Sequence, residues 1–380
     1  MHEDKNDIFE SIDTEDFDNK TEEECLELVR KNGLNLIYIK NQTEEICLEA
    51  VRQNCNAIKC VQNQTEKICI EAVKQDWRML EFVEEPTEEI CMLAINQDGT
   101  ALKYIENQTE ELCLRAVEKN GAALEYVKEQ TEEICIEAVK QNDFALYYVN
   151  EQTEKICMEA VKRSYMALQY VNKQTEEICL EAVRIDGRAL QYVKEQTEEI
   201  CLESVRQNGK VLQYVKKQTE NICIEAVRGS FEELEIKEIL SYVKIPTERI
   251  FVEAVKQNGK ILKYVENQTE LICLEAVREN YNALAYVKEQ TEKICLEAVN
   301  QSYEALKYVK EQTEEVCLKA VKQDYRMLKY VNNQTEKICL EAVKQNYRAL
   351  EFVDNQTEKV CLEAVKQNRK ALQYVKQKQS

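Results

Sequence analysis

A threonine–glutamate pair returns at a fixed interval along nearly the whole chain. Thr21, Thr43, Thr65 and their successors to Thr219 stand 22 residues apart; after one step of 28 the 22-residue interval resumes from Thr247 to Thr357. A period of this length marks stacked supersecondary repeats, and it restricts the fold more than any other feature of the sequence. It defines sixteen repeats from residue 21 to about 377, with residues 1–20 and the last few outside. The 380 residues therefore form one extended array instead of the separate globular domains usual for this length.

With each threonine as position 0, a repeat reads Thr-Glu-Glu-Ile-Cys-Leu-Glu-Ala-Val-Lys-Gln-Asn, followed by Ala at 14, Leu at 15, Tyr at 17 and Val at 18. The apolar residues at positions 3, 4, 5, 7 and 8 have helical spacing and a wide arc, so this helix is covered on more than one side. Threonine caps its start, and the glutamates after it suit the positive end of the helix dipole. A second helical cluster lies at positions 14, 15, 17 and 18, preceded at position 11 by Asn, Asp or Ser, the residues that cap helices. Gly33, Gly99, Gly121, Gly187, Gly209 and Gly259 occupy position 12, where glycine eases a tight turn. The spacing predicts a first helix of about ten residues and a second of about eight, joined as a hairpin. Such a hairpin cannot bury its own apolar arc. The expected fold is all-α, a solenoid of about sixteen 22-residue αα-hairpin repeats, each covering the next.

The formal net charge of −20 argues against a nucleic-acid binder, which needs a basic footprint, and against docking on an anionic membrane. No apolar run is long enough to span a bilayer. The N-terminal stretch MHEDKNDIFESIDTEDF is acidic and has no signal-peptide core, so a cytoplasmic location is expected.

Fifteen of the seventeen cysteines, from Cys25 to Cys361, fall at position 4; Cys55 and Cys60 are the others. Equivalent residues of adjacent helices lie roughly 8–10 Å apart, too far for a disulfide. No Cys-x-x-Cys occurs and His2 is the only histidine, so zinc-site spacing is absent and no metal or cofactor is expected. The cysteine column reads as a small buried hydrophobe in a reducing compartment. Phe251 filling the same slot fits that space-filling role.

Position 17 carries tyrosine in most repeats, with Phe82 and Phe352 as variants, which points to packing between repeats. Position 12 differs. Tyr281, Tyr303, Tyr325 and Tyr347 hold it in four consecutive repeats near the C-terminus, with Trp77 and Tyr165 as isolated earlier cases. A stripe of turn aromatics one repeat apart could clamp an extended peptide or a partner helix, and these four tyrosines are the candidate partner-binding residues. The plainer reading is that each ring covers its own turn.

The pattern breaks in three places. Repeat ten holds six extra residues within RGSFEELEIKEILSYVKIPTER. Ser230 followed by Glu233 reads as a capping box, and Leu234, Ile236, Ile239, Leu240 and Val243 extend an apolar face, so a longer second helix of about 13 residues is expected over 231–243. Pro86 and Pro246 each stand before a capping threonine, where a helix cannot continue. The first repeat places Glu24 in an otherwise apolar slot, as a capping repeat requires. The organisation is thus an acidic segment at 1–20, a repeat block at 21–228, the inserted repeat at 229–246 and a second block at 247–380. The ends carry opposite charge, an ingredient of head-to-tail contact, but the polar face at Glu24 makes a monomer the expectation over a head-to-tail oligomer.

The phrase ICLEAVKQNGKxLQYV, an apolar-Ala-Val core followed by Asn-Gly and a Leu-x-Tyr segment, resembles a family of short helical repeats of unknown function found in mimivirus-type giant viruses and some amoeba-associated bacteria and protists. The resemblance covers residues 43–228 and 247–377 closely, and repeat one loosely. It implies no reaction, and it implies a viral protein made in host cytoplasm. Together with the period, it leads to the expectation of a non-enzymatic interaction scaffold for a protein partner. The alternative is a structural, self-assembling component of a viral particle or factory.

Overall fold

A computed structural model describes residues 20–376. The chain is an all-α solenoid of sixteen repeats, with seventeen α-helices, fifteen 3-10 helices and no strand among the described residues. It divides into two compact units, Met1–Ile185 and Asp186–Ser380. The first contains repeats one to seven and the first helix of repeat eight; the second contains the rest, including the insertion. Within each, every repeat stacks on its sequence neighbours. The acidic segment expected at 1–20 lies outside the described residues apart from Lys20, as does the chain end beyond residue 376.

The first helix of each repeat is α-helical and ten residues long, as in Glu132–Gln141, and it shortens to nine only at Glu220–Arg228. Threonine stands at its cap as the sequence predicts, with a side-chain bond to its own helix except at Thr65, Thr87 and Thr247, and in several repeats its hydroxyl does two things at once. In repeat seven Thr153 Oγ1 accepts from the Ile156 N–H at 3.3 Å and donates to Glu132 Oε1 of the preceding repeat at 3.0 Å. The glutamate chosen by the helix dipole therefore also receives the next repeat's cap. In the buried face of repeat six, Ile134, Cys135, Ala138, Val139, Ala145, Leu146 and Val149 are all within the core.

The second element departs from the expectation. It is a six-residue 3-10 helix, such as Asp143–Tyr148, in place of an α-helix of about eight. Two features stop an α-helix there. The cap side chain bonds two residues ahead, as Asn142 Oδ1 accepts from the Phe144 N–H at 3.0 Å. The backbone closes three residues ahead, Ala145 N–H to Asn142 O at 2.9 Å and Val149 N–H to Leu146 O at 3.3 Å. With 3.0 residues per turn, positions 12, 15 and 18 line one edge, and such helices stay short because their hydrogen bonds are poorer.

The position-12 glycines are not needed for backbone freedom, because no residue described has a positive φ. They permit close approach. A Cβ at Gly99 would sit 2.1 Å from the Ala116 carbonyl oxygen of the following helix, and one at Gly121 would sit 2.4 Å from that of Ala138. Ser204 replaces the usual alanine at such a contact, and its hydroxyl donates to the Gly187 carbonyl at 2.7 Å.

A glutamine ladder ties the loops. Gln130, immediately before a capping threonine, donates from Nε2 to the carbonyls of Leu124 at 3.4 Å and Tyr148 at 2.9 Å, and its Oε1 accepts from the Asn150 N–H at 2.9 Å. One side chain thus links the preceding turn to the following one. The position-4 cysteine joins it: in thirteen repeats Sγ lies 3.6–3.9 Å from this Oε1. The cysteine is a small buried apolar residue, as expected, and it is also a weak S–H donor. Where Pro246 replaces the glutamine, Phe251 replaces the cysteine.

The insertion also corrects the sequence reading. Its helix spans nine residues, Glu233–Ser241, and is capped by Glu232 without a side-chain bond, so Ser230 and Glu233 form no capping box. Gly229 extends the preceding helix's αR conformation by one residue and Ser230 is buried, so the new helix begins too late for that serine to cap it. Ile236 and Ile239 are buried as expected, but Leu234 is 73% exposed. Lys210–Glu238 at 2.7 Å and Tyr264 Oη–Glu233 at 2.8 Å fasten the helix to the turns on either side. In repeat one, Glu24 does more than present a polar face: it completes a capping box with Thr21, accepting the Thr21 N–H at 2.8 Å.

Candidate interaction surface

The four candidate tyrosines each begin a 3-10 helix: Tyr281–Tyr286, Tyr303–Tyr308, Tyr325–Tyr330 and Tyr347–Phe352. They recur at the same point of four successive turns, and each is half-buried. Part of that cover comes from the following repeat. Tyr347 meets Tyr374 with ring centroids 6.4 Å apart, and the Tyr281 hydroxyl is 3.1 Å from Glu304 Oε2. Trp77 repeats the arrangement, 6.2 Å from Tyr104. At Trp77 and Tyr347 the position-12 ring therefore leans towards the position-17 ring one repeat on.

Basic residues follow two of the four tyrosines, Arg326 after Tyr325 and Arg348 after Tyr347, while Asn282 and Glu304 follow the others. Arg326 forms a close ion pair with Asp324 at 2.5 Å, and the pairing holds the Asp324 carboxyl below its ordinary range. A hydrogen bond with Tyr347 raises the Arg348 guanidinium further above its already high value. The C-terminal half of the stripe thus joins aromatic edges to two arginines, on a chain that is strongly acidic overall.

Along the position-17 ladder, lysines at position 16 seat their ammonium groups over rings. Lys59 Nζ lies 4.2 Å from the Phe82 centroid, Lys103 4.5 Å from Tyr104, Lys307 5.2 Å from Tyr330 and Lys329 4.8 Å from the same ring. Such contacts contribute about 0.5–1 kcal/mol at exposed sites.

Repeat six breaks this scheme in a way the sequence reading missed. Tyr147 stands at position 16, which is lysine only in some repeats, and Phe144 stands at position 13. Three residues apart on a 3-10 helix, their side chains eclipse, and the rings stack at 5.6 Å with planes 17° apart. Tyr148 and Tyr170 meet both edge-on, Tyr170 at 5.2 Å from Phe144 and Tyr148 at 5.3 Å from Tyr147. Phe144 is 39% and Tyr147 64% exposed. Burial, and then the charge of Glu125, push the Tyr148 hydroxyl above its ordinary range. The available signal was two aromatic residues three apart at variable positions of one repeat.

The position-4 thiols are held in the protonated form. Burial pushes Cys47, Cys135, Cys201, Cys273, Cys295, Cys317 and Cys339 up to about 11. A nucleophilic cysteine needs the opposite shift. Recesses between repeats are open and polar, such as one lined by Glu132, Glu133, Glu137, Lys140, Lys155 and Glu159. Among the described residues no cluster of three or more His, Cys, Asp or Glu could hold a metal ion, and no helix is long and apolar enough to cross a membrane.

These features define a helical repeat scaffold. The sequence matches the family described as Domain of unknown function (DUF4116) at residues 21–65, 109–152, 153–196, 291–335, 313–357 and 335–378. These matches cover more than half of the chain, and the protein belongs to that family. No curated protein matches the sequence.

Proposed function

We propose that this protein is a non-enzymatic interaction scaffold that binds a protein partner along the turn face carrying Tyr281, Tyr303, Tyr325 and Tyr347. The observation that carries this reading is the recurrence of a half-exposed aromatic at the same point of four consecutive turns. A partner helix or extended segment crossing those turns meets the same group at each step, and aromatic residues are efficient anchors of binding energy. The raised thiols and the consensus-built core support a binding role over covalent catalysis. The resemblance to giant-virus repeat proteins supports a partner in amoebal cytoplasm, and the net charge of −20 disfavours nucleic acid and anionic membranes as ligands.

The test is quantitative co-purification from amoebal lysate with the full chain and with a Tyr303→Gly, Tyr325→Gly variant. Glycine occupies the same position in six other repeats, so the fold tolerates it there. Loss of a stoichiometric protein partner from the variant alone is the expected result; equal capture by both forms would refute this face. The second reading is a self-assembling structural component, favoured by the basic stretch Lys366, Arg369, Lys370 and Lys376 at one end. Sedimentation velocity separates the two, because self-assembly gives salt-sensitive polymers from the pure protein.

A further inference from the structure

The aromatic patch of repeat six carries a more specific inference, at a site separate from the tyrosine stripe. Where position 16 of the ladder is lysine, an internal cation lies over the ring faces, as Lys103 does for Tyr104 and Lys307 for Tyr330. Among the described residues no lysine or arginine lies over Phe144, Tyr147, Tyr148 or Tyr170; position 16 is Tyr147 here and Glu125 and Gln169 in the repeats on either side, so no lysine of the ladder reaches these rings. Tyr147 also enlarges the ring surface, and Phe144 is 39% and Tyr147 64% exposed. Met166, one repeat on from Phe144 at the same position, adds a 44% exposed side chain on the turn that carries Tyr170. Glu125 lies close enough to act on Tyr148 and supplies negative charge at the edge.

We propose that Phe144, Tyr147, Tyr148 and Tyr170, edged by Glu125, form a docking surface for an arginine side chain of a protein partner. The scaffold's own lysines over equivalent rings are the intramolecular precedent for a cation in this place. Arginine fits better than lysine because the four rings pack against one another and leave an open surface with no cage. A planar guanidinium stacks on such a surface, is less strongly hydrated than an ammonium, and can pair with a nearby carboxylate. The proposal deepens the scaffold reading by naming the chemistry of a second contact, and it depends on that reading only in requiring a protein partner.

The experiment uses the full chain with 13C-labelled methionine methyl groups. Met166 reports from beside the patch, while Met79, Met92, Met158 and Met327 report from elsewhere. The probe is the blocked peptide Gly-Arg-Ser-Arg-Gly, titrated to roughly 10 mM at about 0.15 M salt, where long-range attraction to the acidic chain is screened. The expected result is a saturable shift of the Met166 resonance alone. It should weaken about fivefold in Tyr147→Lys, which installs the internal cation, and persist in Tyr147→Phe, which keeps the ring face. A peptide with glutamine for arginine should produce no shift. An unmoved Met166, common movement of all the methionines, or equal binding by Tyr147→Lys would overturn the proposal. Loss here with stripe-dependent capture intact refutes only this patch; loss of stripe-dependent capture with the Met166 response intact refutes only the stripe.

Discussion

Replacing Gln130 by alanine removes a tie that the core residues cannot replace. Gln130 holds the Tyr148 carbonyl and the Asn150 N–H at 2.9 Å each, the Leu124 carbonyl at 3.4 Å and the Cys135 thiol at 3.7 Å. Counting only the two short bonds at about 1 kcal/mol each, the loss is about 2 kcal/mol, and poor water access to the freed backbone groups would add to it. Because each repeat contacts only its neighbours, the loss should be concentrated around residues 124–150. Hydrogen exchange followed by mass spectrometry reads such local opening, and about 2 kcal/mol corresponds to roughly thirtyfold faster exchange. Gln130→Glu separates hydrogen bonding from packing. Its carboxylate still accepts from Asn150, but it sets an oxygen against the Tyr148 carbonyl, so it should protect no better than alanine. Exchange accelerated less than threefold in Gln130→Ala, or full protection in Gln130→Glu, would refute the role of the tie.

The buried thiols make the array sensitive to alkali. Their folded-state values rise from 9.0 to about 11 at positions such as Cys135 and Cys339, so the stabilisation is whole below pH 9 and falls as pH climbs from 9 to 11; denaturation midpoints across that range should show the decline. Thiol titration in native buffer should find the half-buried Cys55, Cys60 and Cys361 well ahead of the others, with nearly all seventeen reacting after denaturation. Gly99→Ala drives a Cβ to within 2.1 Å of the Ala116 carbonyl oxygen and should cost about 1–3 kcal/mol, read as a lower denaturation midpoint, with faster exchange near residues 99–116. Pro246→Gln together with Phe251→Cys should stabilise the second compact unit by more than the sum of the single changes, since the donor and acceptor of the ladder then arrive together; a double-mutant cycle measures the excess.

The repeat and its first helix were legible because Thr153 and its equivalents mark the start and Asn142 and its equivalents the stop, both through local bonds within a few residues. The second element was misread because an α-helix and a 3-10 helix place apolar residues at similar spacing over six residues, and only the Asn142 side-chain bond distinguishes them. Gln130 was visible in the consensus, but its partners lie six residues before it and 18 and 20 after it, beyond any local pattern. The tyrosine stripe stood out because it repeats. Phe144 and Tyr147 did not, because they fall at positions 13 and 16, which vary from repeat to repeat and carry no pattern to break. At the insertion, the serine-to-glutamate spacing was right for a capping box, but Ser230 was already buried by the preceding turn.

Two prolines give the array preferred lines of failure. Pro86 and Pro246 stand where a glutamine otherwise clamps neighbouring turns, and the threonines that follow, Thr87 and Thr247, make no side-chain cap bond to their own helices. What remains at each seam includes a single hydroxyl link, Thr87 to Glu66 at 2.9 Å and Thr247 to Glu220 at 2.7 Å. Under tension applied to the two ends, extension is expected to start at these seams and to release blocks of several repeats before individual hairpins unravel. The solenoid would then behave as a spring with two built-in fuses.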